Sequence, residues 1–307
     1  MALGDGGDPI RALSARVAAG AGGKDHGPGM SQHLLASLRL PSTLARHRFL
    51  VAQLAWRSFA SRYAGSYLGW LWTPLATLIQ FALFMVVFSV IFQIRVEGLG
   101  IDLAKRPPVG FGIYLITGLV PFLALNDAVL RAARVVRTHA ALVQRVRMPA
   151  EVLVIGDVLG AVLHHAISFA VVLAICVIGG HCRLADLPWL GGSLALTALW
   201  VVGLSLTASV LGAALPDVSE ALALGMQLLF YGAPIVYTLA MVPAGVLSSL
   251  VSANPLTPLV GASRAGLIGA APPEPLAVAA AVAAGLALVV IGAAALDRWR
   301  YTIADLL

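Results

Sequence analysis

Residues 69–94 have the sequence GWLWTPLATLIQFALFMVVFSVIFQI, and this stretch decides which kind of fold the chain adopts. It contains no Asp, Glu, Lys or Arg. A helix of about 20 apolar residues crosses a hydrocarbon core about 30 Å thick. Because lipid offers no hydrogen-bond partner to backbone N–H and C=O groups, the stretch is predicted to be a transmembrane helix, in which these groups pair locally.

Five later stretches share this length and apolar character. They are residues 111–130, 152–179, 187–211, 221–240 and 276–296. The composition agrees, because hydrophobic residues make up 60% and charged residues 11% of the 307-residue chain, whereas a soluble domain carries about 25% charged residues. The sequence therefore predicts an all-α integral membrane protein with six transmembrane helices.

Lys and Arg residues are concentrated in alternate connections between these stretches. Most of the 20 lie before the first stretch, between the second and third, and in the C-terminal tail. Basic residues favour the cytoplasmic side of a membrane, so both termini are predicted to be cytoplasmic. The net charge of +6 is explained by this bias, and no nucleic-acid partner is expected.

The N-terminal part of the chain differs from the rest. Residues 1–29 are rich in Gly and Ala and lack the continuous apolar core of a signal peptide. Residues 1–40 are therefore predicted to be a disordered tail, and residues 41–307 to form one transmembrane domain.

A basic amphipathic helix is predicted between the tail and the first stretch. Ser42 favours a helix start. Apolar residues then recur at three- and four-residue steps between arginines, at Leu44, Val51, Leu54, Ala55, Phe59 and Tyr63. Such a helix suits the membrane interface; packing on a soluble domain is the alternative.

Residues 241–275 are predicted to lie on the outer side. Two apolar pieces, Val246–Val251 and Leu259–Ile268, are separated by Asn254-Pro255 and Thr257-Pro258. Each piece is too short to cross the membrane. They are predicted to form two short helices or a re-entrant pair, and a folded extracellular cap is the alternative.

Sequence patterns for catalysis or cofactor binding are not found. Neither lysine, Lys24 or Lys105, lies in a phosphate-binding G-x-x-x-x-G-K-[ST] loop. His164 and His165 are adjacent, so on a helix they point about 100° apart and do not share a metal-binding face. One of them is expected to bond a neighbouring helix. We expect no catalytic residue, metal or cofactor in this chain.

Residues 56–74, WRSFASRYAGSYLGWLWTP, resemble the opening of permease subunits of ABC exporters for polysaccharides, the family that exports O-antigen, capsule and teichoic acid. Further segments resemble the family's motifs in the same order. They are GLVPF at 118–122, LVQRVRMPAEVL at 142–153, NPLTP at 254–258 with Arg264 nearby, and YTIADLL at 301–307. The resemblance covers residues 44–307, and five motifs in order on a six-span frame are specific. The chain departs from the family's motif at some positions, such as Ala64, where the family commonly has Lys or Arg. These departures bear on the type of substrate more than on the family resemblance.

The resemblance implies a homodimer in the bacterial cytoplasmic membrane that exports a lipid-linked glycan. Two copies of a separate ATPase subunit would bind ATP and Mg. Coupling to this ATPase would involve Leu142, Val143, Arg145, Val146, Arg147 and Pro149. An outer gate would involve Asn254, Pro255 and Arg264.

The substrate path implied by the resemblance combines aromatic residues with one arginine as a phosphate ligand. Its members are Arg62, Tyr63, Tyr67, Trp70, Trp72, Phe230, Tyr231 and Tyr237. Two other interpretations stay open, since aromatic residues also form interfacial belts and Arg62 could contact phospholipid headgroups.

Two other functions remain open. A proton-driven secondary transporter would use His164, His165 or Asp127, but it is expected to show inverted repeats, and we find no convincing pair of matching halves. An ABC permease for a smaller substrate, such as a drug or a lipid, would share the fold but not the opening motif of residues 56–74.

Overall fold

The computed structural model describes residues 39–94, 110–140, 148–215 and 217–306, with side chains described up to residue 298. Its regular secondary structure over these residues is entirely helical, as the sequence predicts. Most of the predicted tail, residues 1–38, lies outside the described residues.

We number nine α-helices in the described part of the chain. They are α1 (Arg48–Ser61), α2 (Trp72–Phe84), α3 (Phe111–Thr138), α4 (Ala150–Ile178), α5 (Leu187–Ala214), α6 (Val218–Tyr231), α7 (Val246–Ala253), α8 (Leu256–Ile268) and α9 (Pro275–Leu306). Residues 39–46 are also helical and precede α1. A 3₁₀ turn, Gly69–Leu71, leads into α2, and a π-helical segment, Met85–Ile91, extends it.

Five segments of the described chain are long and apolar enough to cross a membrane. They are Gly69–Ile91, Phe111–Thr138, Ala150–Ile178, Leu184–Ala214 and Pro275–Arg298. Each coincides with one of the predicted stretches, and the protein is an all-α integral membrane protein.

The stretch predicted at residues 221–240 differs from the helix observed there. Helix α6 ends at Tyr231, after 14 residues, and a helix of that length rises only about 21 Å. Pro234 explains the early end, because its ring has no N–H and would clash with the carbonyl four residues earlier. Residues 232–238 are turns and irregular backbone instead.

Small residues let the long helices approach closely. A Cβ atom on Gly212 of α5 would lie 1.9 Å from the Ala133 carbonyl oxygen of α3. A Cβ atom on Gly292 of α9 would lie 2.7 Å from Leu206 Cβ of α5. Membrane helices associate through such close backbone packing, since lipid provides little hydrophobic driving force between them.

Helix α1 packs along α4, and only one of its faces is buried. Val51, Ala55 and Ser58 are its buried residues, and a Cβ atom on Gly160 of α4 would lie 2.6 Å from Ser58 Cβ. Trp56, on the other face, is 65% exposed. The one-sided burial agrees with the predicted amphipathic pattern, with α4 as the partner of the buried face.

The two ends of the bundle are chemically different. The C-terminal ends of α3 and α5 lie with the N-terminal ends of α4 and α6 at one end, which we call the basic end because it carries Arg131, Arg134 and Arg137. Helices α7 and α8, the two predicted short helices, lie at the other end, which we call the α7–α8 end. Almost every residue of α8 is buried, so it belongs to the packed core.

Candidate functional site

An ion-pair network joins α1, α3 and α4 near the basic end. Arg62, which follows α1, pairs with Asp127 of α3. The other Asp127 oxygen lies 3.4 Å from Arg131 Nε, and Arg131 Nη1 lies 3.9 Å from Asp157 of α4. Two arginines thus face two aspartates, and the network carries no net charge apart from His165. Arg62 is only 16% exposed, so its guanidinium is committed to Asp127.

His164 and His165 both form hydrogen bonds with other elements. The sequence predicts such a bond for one of the two. His165 Nε2 lies 3.2 Å from Asp127 Oδ2. His164 Nδ1 lies 2.7 Å from the Tyr63 hydroxyl, which is also 2.6 Å from Thr73 Oγ1. The two imidazoles are almost perpendicular, with an interplanar angle of 88°. The pair therefore links the turn after α1 to α2, α3 and α4.

A cavity of about 440 Å³ lies beside these networks, between α2, α3 and α4. Ile116, Val120 and Leu123 of α3 form its apolar wall. Its other lining residues are Arg62, Tyr63, Ser66, Trp72, Thr73, Ala76, Thr77, Gln80, His164, His165 and Ser168. The structure thus brings three of the predicted path residues, Arg62, Tyr63 and Trp72, to one cavity.

Several of these polar residues were missed by the sequence-based interpretation. Thr73, Thr77 and Gln80 lie at i, i+4 and i+7, which is one face of a helix. Thr77 Oγ1 lies 3.0 Å from Ser168 Oγ of α4. The polar stripe was visible in the apolar stretch 69–94, but only the packing of α2 on α4 shows what it faces.

The remaining path residues lie elsewhere. Tyr67 is fully exposed and Trp70 is 54% exposed, and neither lines this cavity. Phe230 packs on Phe122 of α3, with ring centroids 4.9 Å apart. Tyr231 and Tyr237 line a second cavity, of about 450 Å³, at the α7–α8 end.

Asn254 connects the end of α6 to the start of α8. Its Nδ2 donates to the Leu229 carbonyl (2.9 Å), and its Oδ1 accepts from Leu256 N–H (2.9 Å). Pro255 directly precedes α8, where its missing N–H is no loss. Asn254 also lines the second cavity.

Arg264 of α8 is buried at the centre of the α7–α8 end. It donates to the carbonyls of Tyr114 (3.2 Å), Pro234 (2.5 Å) and Ile235 (2.9 Å). Its Nη1 also donates to the Tyr114 hydroxyl, at 2.8 Å. Desolvation lowers the pKa of Arg264 to about 10, and the neighbouring Tyr114 opposes part of this shift. The guanidinium therefore stays charged at neutral pH and ties the irregular backbone after α6 to α3.

A third cavity, of about 660 Å³, opens at the basic end between α1, α3 and α4. Arg57, Arg131 and Arg134 are among its lining residues. Among the predicted coupling residues, Pro149 directly precedes α4. The others, Leu142, Val143, Arg145, Val146 and Arg147, lie outside the described residues.

Metal ligands are not clustered in the described part of the chain, which holds no group of three or more His, Cys, Asp or Glu side chains suited to an ion. Cys176 and Cys182 do not form a disulfide bond with each other.

Comparison with known proteins identifies the family. Residues 50–268 match the family model described as ABC-2 type transporter. An O-antigen export system permease protein RfbA from Klebsiella pneumoniae is 22% identical over 88% of this chain and 100% of its own length. An RfbA protein from Myxococcus xanthus is 23% identical over 74% of this chain and 84% of its own length. The polysialic acid transport protein KpsM from Escherichia coli is 21% identical over 70% of this chain and 79% of its own length. With its apolar spans, the chain is thus a multi-pass membrane protein that belongs to the ABC-2 type transporter family.

Proposed function

We propose that this chain is the permease subunit of an ATP-driven exporter that moves a lipid-linked polysaccharide, of O-antigen or capsule type, across the bacterial cytoplasmic membrane. The observation that carries the proposal is the cavity between α2, α3 and α4, because most of its polar and aromatic lining residues lie within apolar membrane helices. The similarity to O-antigen export permeases over most of the chain supports the choice of substrate.

Energy is supplied in this proposal by two copies of a separate ATPase subunit, which bind ATP and Mg. The motivation is the absence of a phosphate-binding loop from the sequence. Residues 142–149 form the coupling segment. They connect α3 to α4 in the sequence, and both of these helices line the 660 Å³ cavity of the basic end together with Arg57 of α1. An ATPase that contacts the basic end could therefore act on α1, α3 and α4 together.

The substrate route begins near the basic end and leaves at the α7–α8 end. Tyr67, Trp70 and Trp72 offer exposed aromatic faces close to the first cavity. Phe230, Tyr231 and Tyr237 continue the aromatic lining toward α7. Two permease copies enclose this route, with Asn254, Pro255 and Arg264 at the hinge of an outer gate. The termini and the basic end face the cytoplasm, as the distribution of Lys and Arg predicts.

A proton-driven secondary transporter is the second candidate, and one observation favours it. His164, His165 and Asp127, the three residues predicted for that function, lie in adjoining hydrogen-bond networks. Intramembrane ionisable groups often mark proton pathways. The family membership favours the ATP-driven function, in which the same network joins α1 to the membrane helices.

A gene deletion tests the proposal. Removing the chain from its host is expected to abolish the surface polysaccharide and leave lipid-linked glycan inside the cell, with recovery on complementation. Removing the partner ATPase should give the same phenotype, whereas collapse of the proton gradient at constant ATP should not. Continued export without the ATPase, together with loss on collapse of the gradient, would establish the secondary transporter instead.

A further inference from the structure

The cavity between α2, α3 and α4 contains polar groups whose internal contacts leave hydrogen-bonding capacity free. Polar groups buried in an apolar region are costly unless they are bonded. Gln80 is half-buried and bonds to no other described residue. Arg62 Nε is buried without a hydrogen-bond partner in the described part of the chain. Both side chains line the cavity, but Arg62 Nε is itself buried, so the Gln80 amide is the free group that a ligand in the cavity can reach.

Charge determines which ligand the cavity suits. Arg62, which lines the cavity, pairs with Asp127, and Arg131 pairs with Asp127 and Asp157 in the lining of the 660 Å³ cavity. An anion would have to displace Asp127 from Arg62, and separating a partly buried ion pair is costly because it leaves one charge uncompensated. The cavity therefore favours an uncharged ligand over a phosphate.

The shape and lining also agree with a particular ligand chemistry. Trp72 is half exposed at the cavity, opposite the apolar wall of α3. The volume of about 440 Å³ falls within the usual range of about 300–1,000 Å³ for ligand sites. A sugar ring has apolar C–H faces and a rim of hydroxyl groups, so one ring can pack on an indole while its rim bonds to amide and hydroxyl groups.

We propose that this cavity binds uncharged sugar rings of the exported glycan within a single permease subunit, an assignment that rests on the proposed function. Trp72 packs against the ring face, and the Gln80 amide donates to its hydroxyls. Asp127 holds Arg62 in place and shields the site from anions. In this proposal the phosphate of the lipid carrier is bound elsewhere, in contrast to the sequence-based prediction that Arg62 is its ligand.

Protection of an engineered cysteine tests this assignment. Ala76 is exposed in the cavity wall and makes no polar contact, so Ala76→Cys reports occupancy without removing a proposed ligand. Cys176 and Cys182 are replaced by Ala in the reporter chain. The full chain is placed in nanodiscs free of sugar detergents. The rate of maleimide labelling is then measured with and without oligosaccharides that are released by mild acid from the host's surface polysaccharide.

Occupancy slows labelling by a factor of one plus the ratio of ligand concentration to Kd, about tenfold at ten times Kd. Gln53→Cys, on the exposed face of α1, should label at an unchanged rate. Gln80→Leu, which removes the amide at similar volume, should abolish the protection of Ala76→Cys. Ile79→Ala, on an exposed face of α2 that does not line the cavity, should retain it.

Inorganic pyrophosphate is the competing probe and should give no protection. Protection by pyrophosphate but not by the oligosaccharides would show an anion site and overturn the assignment. Equal protection in the Gln80→Leu chain would also overturn it. If the oligosaccharides fail to protect while gene deletion still abolishes the surface polysaccharide, this inference falls and the proposed function stands. If deletion leaves the surface polysaccharide unchanged, the proposed function itself is wrong.

Discussion

Replacement of Arg264 by methionine is expected to destabilise the α7–α8 end strongly. Arg264 is 4% exposed and bonds to the carbonyls of Pro234 and Ile235, within the irregular segment that follows α6. Methionine retains most of the length of the side chain but donates no hydrogen bond. The carbonyl of Ile235 loses the donor that the structure records for it. The carbonyl of Pro234 also loses its donor in effect, because the Tyr114 hydroxyl at 3.3 Å has a single hydrogen and lies closer, at 2.8 Å, to the Tyr237 carbonyl.

The magnitude follows from these two acceptors. A buried acceptor left without a partner costs about 1–3 kcal/mol, so their loss should cost about 2–6 kcal/mol. The Tyr114 carbonyl adds little, because it also accepts from Thr117 Oγ1 at 2.9 Å. Arg264→Lys should recover part of the stability, since an ammonium keeps the charge but cannot reach all these acceptors in the fork geometry of a guanidinium.

The assay is thermal unfolding of the purified chain in nanodiscs, followed by tryptophan fluorescence. In domains of 150–250 residues about 1 kcal/mol lowers Tm by about 2–4 °C, so we expect Arg264→Met to lower Tm by about 5 °C or more. Arg183→Met is the matched control, because Arg183 is exposed near the same end, and it should leave Tm almost unchanged. Equal Tm values for wild type and Arg264→Met would refute the assignment of Arg264 as the link between α8, α3 and the segment after α6.

Four further predictions concern the proposed transport function. The purified chain, free of other subunits, should hydrolyse no ATP; robust hydrolysis would contradict the separate ATPase. Impermeant maleimide added to intact cells should label Lys105→Cys but not Arg145→Cys, and the reverse pattern would invert the topology. Val146→Asp should release the ATPase and stop export while membrane insertion persists. The reason is that an unpaired charge in a docking groove costs roughly 3–5 kcal/mol if it is fully buried. Normal export would make the segment a topological anchor. Arg62→Ala and Trp70→Ala should each leave assembly and basal ATPase activity intact and make lipid-linked glycan accumulate inside the cell; normal export by both would exclude these residues from the substrate path.

Hydropathy was sufficient for the long helices but not for the end of α6. The stretch 221–240 is apolar throughout, so a hydropathy argument extends the helix across it. Pro234 was the available signal, since proline interrupts the helical hydrogen bonds of its own turn. The carbonyls of Pro234 and Ile235 then find a donor in Arg264, which lies about thirty residues later in the sequence and is brought close only by folding.

Sequence alone determined the membrane location of the chain, five of its spanning helices and its two short helices, because lipid forces each spanning segment to satisfy its backbone locally. Its motifs also identified the family. Tertiary structure decided which side chains meet. Arg62, Asp127 and His165 are far apart in the sequence and come from three elements, yet they form one network. Such contacts depend on how each helix is rotated against its neighbours, and that rotation is set by the packing of small and large side chains across helix pairs rather than by the hydropathy of any one helix.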